Sequence, residues 1–401
     1  MKRGILVALA GWLAVGVTAG LVARASGDAA SGAASGAAPG AAPGAAPGAA
    51  PAWRRVNASG FGGPANAAVS SLAALDGVLY AGTWNDAGAQ VWRAPDGRAW
   101  SPATPPWSAA NTGVYDLEAF GGRLYAGTLR EAGGGEIWRT DGAGWTRVVS
   151  AGFGYADNVV ISALSVFSSQ LYAAAGNLAS GLEMWRSDTG DAGSWARVGA
   201  AGFGAGPTWE NAALEAYASH LYVGLSRQGP PARAELWRTP NGVAWTPVFT
   251  DGLGNPRNTD VSAMAVYRGL LYAGLRNSTT GGEIWRSANG VTFTAVMTGG
   301  FGAIANRAVY GLVVHDDWLY AVAGAPAGPG AQVWRTFDGT AWQKASADGW
   351  GDSGNTFAAF YDKGAAVFQD GLYIGTGNAA AGGQVWLLLH RRAFIPAASR
   401  P

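Results

Sequence analysis

Cysteine is missing from all 401 residues, which excludes disulfides, thiolate metal sites, cysteine nucleophiles and a lipoprotein anchor. Charge is sparse at 13%. The only histidines, His220, His315 and His390, are expected in a turn, a strand and the C-terminal tail, so neither a metal site nor a cofactor is expected. Glycine, by contrast, reaches 63 residues. That load is costly inside helices and suits short strands joined by tight turns, so helix content should be close to nil.

The start, MKRGILVALAGWLAVGVTAGLVARAS, has basic residues, an apolar run and a small-residue Ala23-Arg24-Ala25 site, which reads as a secretory signal over 1–25. An uncleaved membrane anchor is the alternative. Cleavage after Ala25 leaves 24 basic against 26 acidic residues, too little positive charge for a nucleic-acid partner. Residues 26–52, rich in Ala, Gly and Pro, hold almost nothing large and apolar and read as a spacer. A folded domain is expected over 53–389 and a tail over 390–401.

Leu-Tyr recurs seven times, at Tyr80, Tyr125, Tyr172, Tyr222, Tyr272, Tyr320 and Tyr373. Each pair is followed by a Trp, from Trp92 to Trp386, and the first six of these Trp are followed by Arg. Each repeat divides into four short segments of strand character, with Asp-Gly or Asn-Gly between the third and fourth in most copies. These dipeptides tolerate the positive φ of a tight hairpin. Four strands per 45–53 residues predict an all-β, seven-bladed β-propeller of four-stranded blades. The seventh repeat stops after GGQVWLLL, and the folded region opens with AWRRVNASGFG, which matches the fourth strand of other repeats. A one-plus-three closure follows, with the N-terminal strand completing the last blade.

Residues that recur in every repeat see equivalent surroundings. The Arg beside each Trp, the Glu or Gln two residues before it, and the strand aromatics therefore read as blade packing and inter-strand pairing. The Gly-Phe-Gly elements read as plugs between blades. The Asn five residues after that position (Asn66, Asn158, Asn258, Asn306, Asn355, with Asn111 matching and Thr208 substituting in one copy) should close the turn into the innermost strand.

Ser287-Ala288-Asn289-Gly290-Val291-Thr292-Phe293 and Thr239-Pro240-Asn241-Gly242-Val243-Ala244-Trp245 resemble the Asp-box, or bacterial neuraminidase repeat, with one residue fewer between acid and aromatic. The resemblance implies a sialidase-like propeller, an architecture that hydrolases, receptors and assembly factors share, so it carries no activity over. The Arg-Ile-Pro signature of sialidases is absent.

Binding is expected on the face formed by the strand-two to strand-three loops and the blade-to-blade connections, which vary in length. Its ligand-binding candidates are Trp84, Asp86, Arg130, Trp209, Glu210 and Arg276, together with an insertion before strand one of the last repeat that carries Tyr361, Asp362 and Lys363. Trp84 and Trp209 have no counterpart in other repeats and suit stacking on a sugar or anchoring a protein. The expected function is a secreted, non-enzymatic binding or scaffold module for an extracellular glycan or protein, with no catalytic residue assigned. The alternative is a glycoside hydrolase or lyase using acids near the channel mouth, where Asp116, Glu118 and Glu215 are candidates for a carboxylate pair.

Overall fold

A computed structural model describes residues 51–177 and 179–389; the expected signal, nearly all of the spacer and the tail lie outside the described residues. The architecture is all-β, and the helical segments among the described residues are one-turn elements such as Ser59–Gly62 and Gly299–Gly302. Strands are paired antiparallel in four-stranded meanders. In one unit, Gly113–Phe120, Arg123–Leu129, Ile137–Thr140 and Trp145–Val149 pair in chain order. In another, Thr208–Tyr217, His220–Arg227, Arg233–Thr239 and Thr246–Phe249 form a separate sheet. Trp53–Arg55, from the start of the described chain, pairs antiparallel with Val385–Leu389 at its end.

The turns follow from side-chain chemistry. Strands one and two are joined by two residues with positive φ, for instance Gly121-Gly122 between Phe120 and Arg123, the geometry that matches strand twist. The strand-three to strand-four turn is different from the tight hairpin expected from its Asn-Gly or Asp-Gly. Only the glycine takes positive φ (Gly290, 69°). The Asn289 side chain instead accepts hydrogen bonds from the Val291 and Thr292 backbones, both at 2.9 Å, an Asx turn.

That glycine also explains the Leu-Tyr repeat. A Cβ on Gly290 would sit 1.9 Å from the hydroxyl oxygen of Tyr222, one on Gly242 1.9 Å from that of Tyr172, and one on Gly97 2.0 Å from that of Tyr373. These strand-two tyrosines therefore pack beneath the next unit's turn, and Tyr373 of the last unit packs beneath a turn of the first. The Arg beside the strand-three Trp reaches across the same junction where Arg93 donates to the Gly142 carbonyl and Arg186 to that of Asn241.

The Gly-Phe-Gly elements act as aromatic plugs. Gly152 and Phe153 both adopt left-handed backbone, which turns the Phe153 ring flat onto Trp185 at 4.3 Å and edge-on to Trp195 at 5.5 Å. Phe61 repeats this with Trp92 and Trp100. Trp350 does so with Trp386 and Trp53, so the N-terminal strand supplies the aromatic that a fourth strand supplies elsewhere.

Gly242→Ala should lower stability by about 2–4 kcal/mol, because it pushes a Cβ into the Tyr172 hydroxyl and strains a positive-φ residue. Gly144→Ala, where a Cβ meets nothing within 4 Å, should stay within about 0.5 kcal/mol of the parent. Chemical denaturation of both variants checks the contrast.

Candidate functional site

The innermost strands share a defect that builds the centre. Register slips by one residue between Val69 and Ser71, Val114 and Asp116, Ile161 and Ala163, Val261 and Ala263, and Val309 and Gly311. Each slip is a β-bulge, which bends its strand. In the last unit the same place holds six residues: Ala358 pairs with Thr376 and Ala365 with Ile374, and 359–364 loop out between them. The insertion is thus an enlarged bulge, and it projects inward rather than onto a loop face.

Tyr361, Asp362 and Lys363, expected as ligand contacts on the exposed loops, are consequently enclosed among the innermost strands. Asp362 accepts hydrogen bonds from the backbone N–H groups of Met264 and Leu312. The Lys363 carbonyl accepts from Leu72 N at 2.7 Å. Its ammonium donates to the Leu164 carbonyl and pairs with Asp116, both at 3.2 Å, while Asp116 accepts from Leu164 N. One short turn thereby ties strands from five other units. It holds Ala359, Tyr361 and Asp362 at positive φ, strain that such a density of partners sustains.

The plug gives the centre two unlike ends. Toward the loop face the ends of the innermost strands carry aromatics. Phe360 lies 5.8 Å from Tyr115, 6.1 Å from Trp84, 5.7 Å from Phe357 and 6.3 Å from Tyr310. Tyr115 and Tyr310 are buried beneath, whereas Trp84, Phe357 and Phe360 are partly exposed. Deeper, the Tyr361 hydroxyl donates to Asp260 Oδ2 at 2.6 Å. Burial, then the Asp260 charge, drives the Tyr361 hydroxyl well above its ordinary range. Burial also raises that of Tyr310, against the pull of Arg276 and Arg307 at the same end. Both phenols are therefore neutral at ordinary pH.

Toward the face of the two-residue hairpins the lining is acidic. Glu118 and Glu215 occupy the same level, two residues before the ends of their strands, and both feel the charge of Lys363. Burial pushes each up to about 7, Lys363 opposes both shifts, and for Glu118 the neighbouring Asp116 and Glu215 add to the rise. Burial also raises Asp116 and Asp362. At Lys363 burial works against the charge, and the carboxylates of Asp116 and Glu118 more than offset it. Among the described residues no group of side chains is arranged to hold a metal ion, and no helix is long and apolar enough to cross a membrane.

The other candidates separate. Asp86 is exposed at a loop tip. Arg130 Nη1 is bound at 3.0 Å to Glu136, the strand-three glutamate that Arg147 also holds, which is an internal pairing. Trp209 and Glu210 belong to the strand Thr208–Tyr217 rather than to a loop, and their side chains are outside the described residues. Arg276 ends its strand beside Asp260, at the aromatic opening. Sequence reasoning missed Tyr115, Tyr310, Phe357 and Phe360. Tyr115 and Tyr310 stand at bulge positions filled by Ser70, Ser162 and Ser262 elsewhere, a departure that aligning the innermost strands exposes.

Because Glu118 and Glu215 rise from 4.5 to about 7 on folding, the folded state binds more protons than the unfolded chain between those values. Their contribution is fully present below pH 4.5 and is lost as pH rises through 7. The melting temperature should fall across that window, and Glu118→Gln/Glu215→Gln should flatten the decline, as a series of thermal melts from pH 4 to 8 would register.

No protein-family model matches the chain, and no curated protein matches it significantly. Solved structures do. Virginiamycin B lyase from Staphylococcus aureus is similar at a TM-score of 0.59 and 8% identity, over 84% of this chain and 100% of that one. An ulvan lyase, a polysaccharide lyase solved with a GlcA–Rha3S chain, is similar at 0.54 and 9%, over 82% and 94%. The WD40 β-propeller domain of Doa1 is similar at 0.55 and 10%, over 83% and 96%. At these identities the likeness is one of fold: the chain has a β-propeller architecture.

Proposed function

We propose that residues 53–389 form a secreted, seven-bladed propeller that binds an extracellular glycan at the aromatic opening, without chemistry of its own. The seven repeats, the pairing of Trp53–Arg55 with Val385–Leu389 and the packing of Tyr373 against Gly97 support a ring completed by its N-terminal strand. The observation that carries the ligand is the partly exposed floor of Trp84, Phe357 and Phe360 with Arg276 and Arg307 at the same end. Aromatic faces stack on the apolar faces of sugar rings, and guanidinium groups suit carboxylate or sulfate substituents. Acidic polysaccharides are therefore the first class to try.

A second reading, a lyase or hydrolase, is favoured by Glu118 and Glu215. Carboxyls held near 7 have the acidity that proton transfer at neutral pH requires. They lie on the opposite side of the plug from the aromatic floor, which assigns them to another opening.

On a glycan array and in titration, Trp84→Ala should weaken binding by about 1–3 kcal/mol, as loss of an aromatic anchor does, with melting unchanged. Unaltered affinity would remove the aromatic floor from the site. Release of reducing ends or unsaturated uronate from the same panel, abolished by Glu118→Gln, would establish the second reading instead. For closure, a chain lacking 53–62 should melt well below the parent because the last blade loses its fourth strand; equal melting would refute the ring as drawn.

A further inference from the structure

At the aromatic end, the second strand of one unit meets the innermost strand of the next, and one such junction is unlike the others. Arg276, the last residue of its strand, pairs in register with Ala308 of the following unit, and Asn277 N donates to the Arg307 carbonyl at 2.8 Å. Arg276 and Arg307 are thereby fixed as neighbours, both half-buried. The corresponding residues at three other junctions are Trp84 with Thr112, Leu129 with Val159 and Gly377 with Ala67, none of them charged. Two cations stand where the repeat itself requires none.

The two arginines differ in what surrounds them. Arg276 pairs on its other side with Asp260, whose carboxylate accepts the Tyr361 hydroxyl at 2.6 Å, and the two charges act oppositely on that hydroxyl. Asp260 therefore balances Arg276. Arg307, by contrast, has neither a side-chain hydrogen bond nor an ion pair among the described residues. Around the buried Tyr310 hydroxyl the balance is two arginines against one aspartate, an excess of one positive charge. Tyr310 also joins this cluster to the aromatic floor, since it lies 6.3 Å from Phe360, which lies 6.1 Å from Trp84. A sugar stacked on Phe360 and Trp84 thus has an unbalanced guanidinium beyond one edge. Such a group makes paired, charge-assisted hydrogen bonds with anionic oxygens and none of that strength with a neutral sugar.

We propose that Arg307 sets the specificity of the glycan site by receiving the anionic substituent, a uronate carboxylate or a sulfate ester, of the sugar that stacks on Phe360 and Trp84. This role rests on the aromatic end being the glycan site, and within that site it makes ligand charge, rather than stacking alone, decisive.

Titration calorimetry of the full chain with three probes tests it: oligogalacturonate, its carboxyl-reduced and therefore neutral counterpart, and a sulfated galactan oligosaccharide. The parent should bind at least one charged probe about tenfold more tightly than the neutral one, with an affinity that falls as salt rises. Which charged probe shows the gain tells carboxylate from sulfate. Arg307→Gln should remove the gain and its salt dependence while leaving the neutral probe and the melting temperature unchanged, because the side chain holds no other described group. Trp84→Ala should weaken all three alike. Equal affinity of the parent for charged and neutral probes, or a gain that survives in Arg307→Gln, would overturn the role of Arg307 and leave the glycan site standing. Binding of none of the three would remove the glycan site itself, and the role of Arg307 with it.

Discussion

A buried amide holds most of the units together, and the rest of the structure depends on it. Asn258 donates from Nδ2 to the Gly252 carbonyl at 3.0 Å and to Glu283 Oε2 at 2.8 Å, and its Oδ1 accepts from Asn277 at 2.9 Å. The first bond fixes a left-handed turn. The second fixes the glutamate that accepts Trp285 Nε1 at 2.8 Å, and through it the plane on which the plug residue lies. Sequestered from water, such a node is costly to leave half made. The same node recurs around Asn66, Asn158 and Asn355.

The exception shows what the node demands. Where Thr208 replaces the asparagine, Arg227 donates to the Gly202 carbonyl at 3.0 Å and grips Glu235 with Nε and Nη2 at 2.9 and 2.6 Å. A guanidinium does the work of an amide. Arg227 ends the strand His220–Arg227, and nothing in its immediate sequence announces this duty. Its duty becomes legible only when Thr208 is recognised as the missing member of the series.

The repeat was readable because its causes are local or periodic. Strand alternation, turn glycines and the aromatics at fixed offsets state their environment within a few residues. The fate of Tyr361, Asp362 and Lys363 was not, although their singularity was. Whether the enlarged bulge leaves a strand inward or outward depends on where the slip falls against Gly375 and on which groups wait there. These are the backbone donors of Leu72, Met264 and Leu312, supplied by distant repeats. Likewise, the pairing of Glu118 with Glu215 is written in two strands 97 positions apart and needs the innermost strands assembled before it exists.

Symmetry explains why the candidate sites fall where they do. Repeated units place identical groups around the centre, and an inside lined that way offers a ligand no preferred orientation. The enlarged bulge of the last unit breaks the equivalence from within: Phe360 is delivered toward one end and Lys363 toward the other. The remaining departures then fall into line with it. Tyr115 and Tyr310, in place of bulge serines, meet Phe360; Asp116, Glu118 and Glu215 gather around Lys363. An aromatic, arginine-edged end and an acidic end are thus consequences of a single insertion, and they present unlike chemistry: stacking surfaces at one, carboxylates around a lysine at the other.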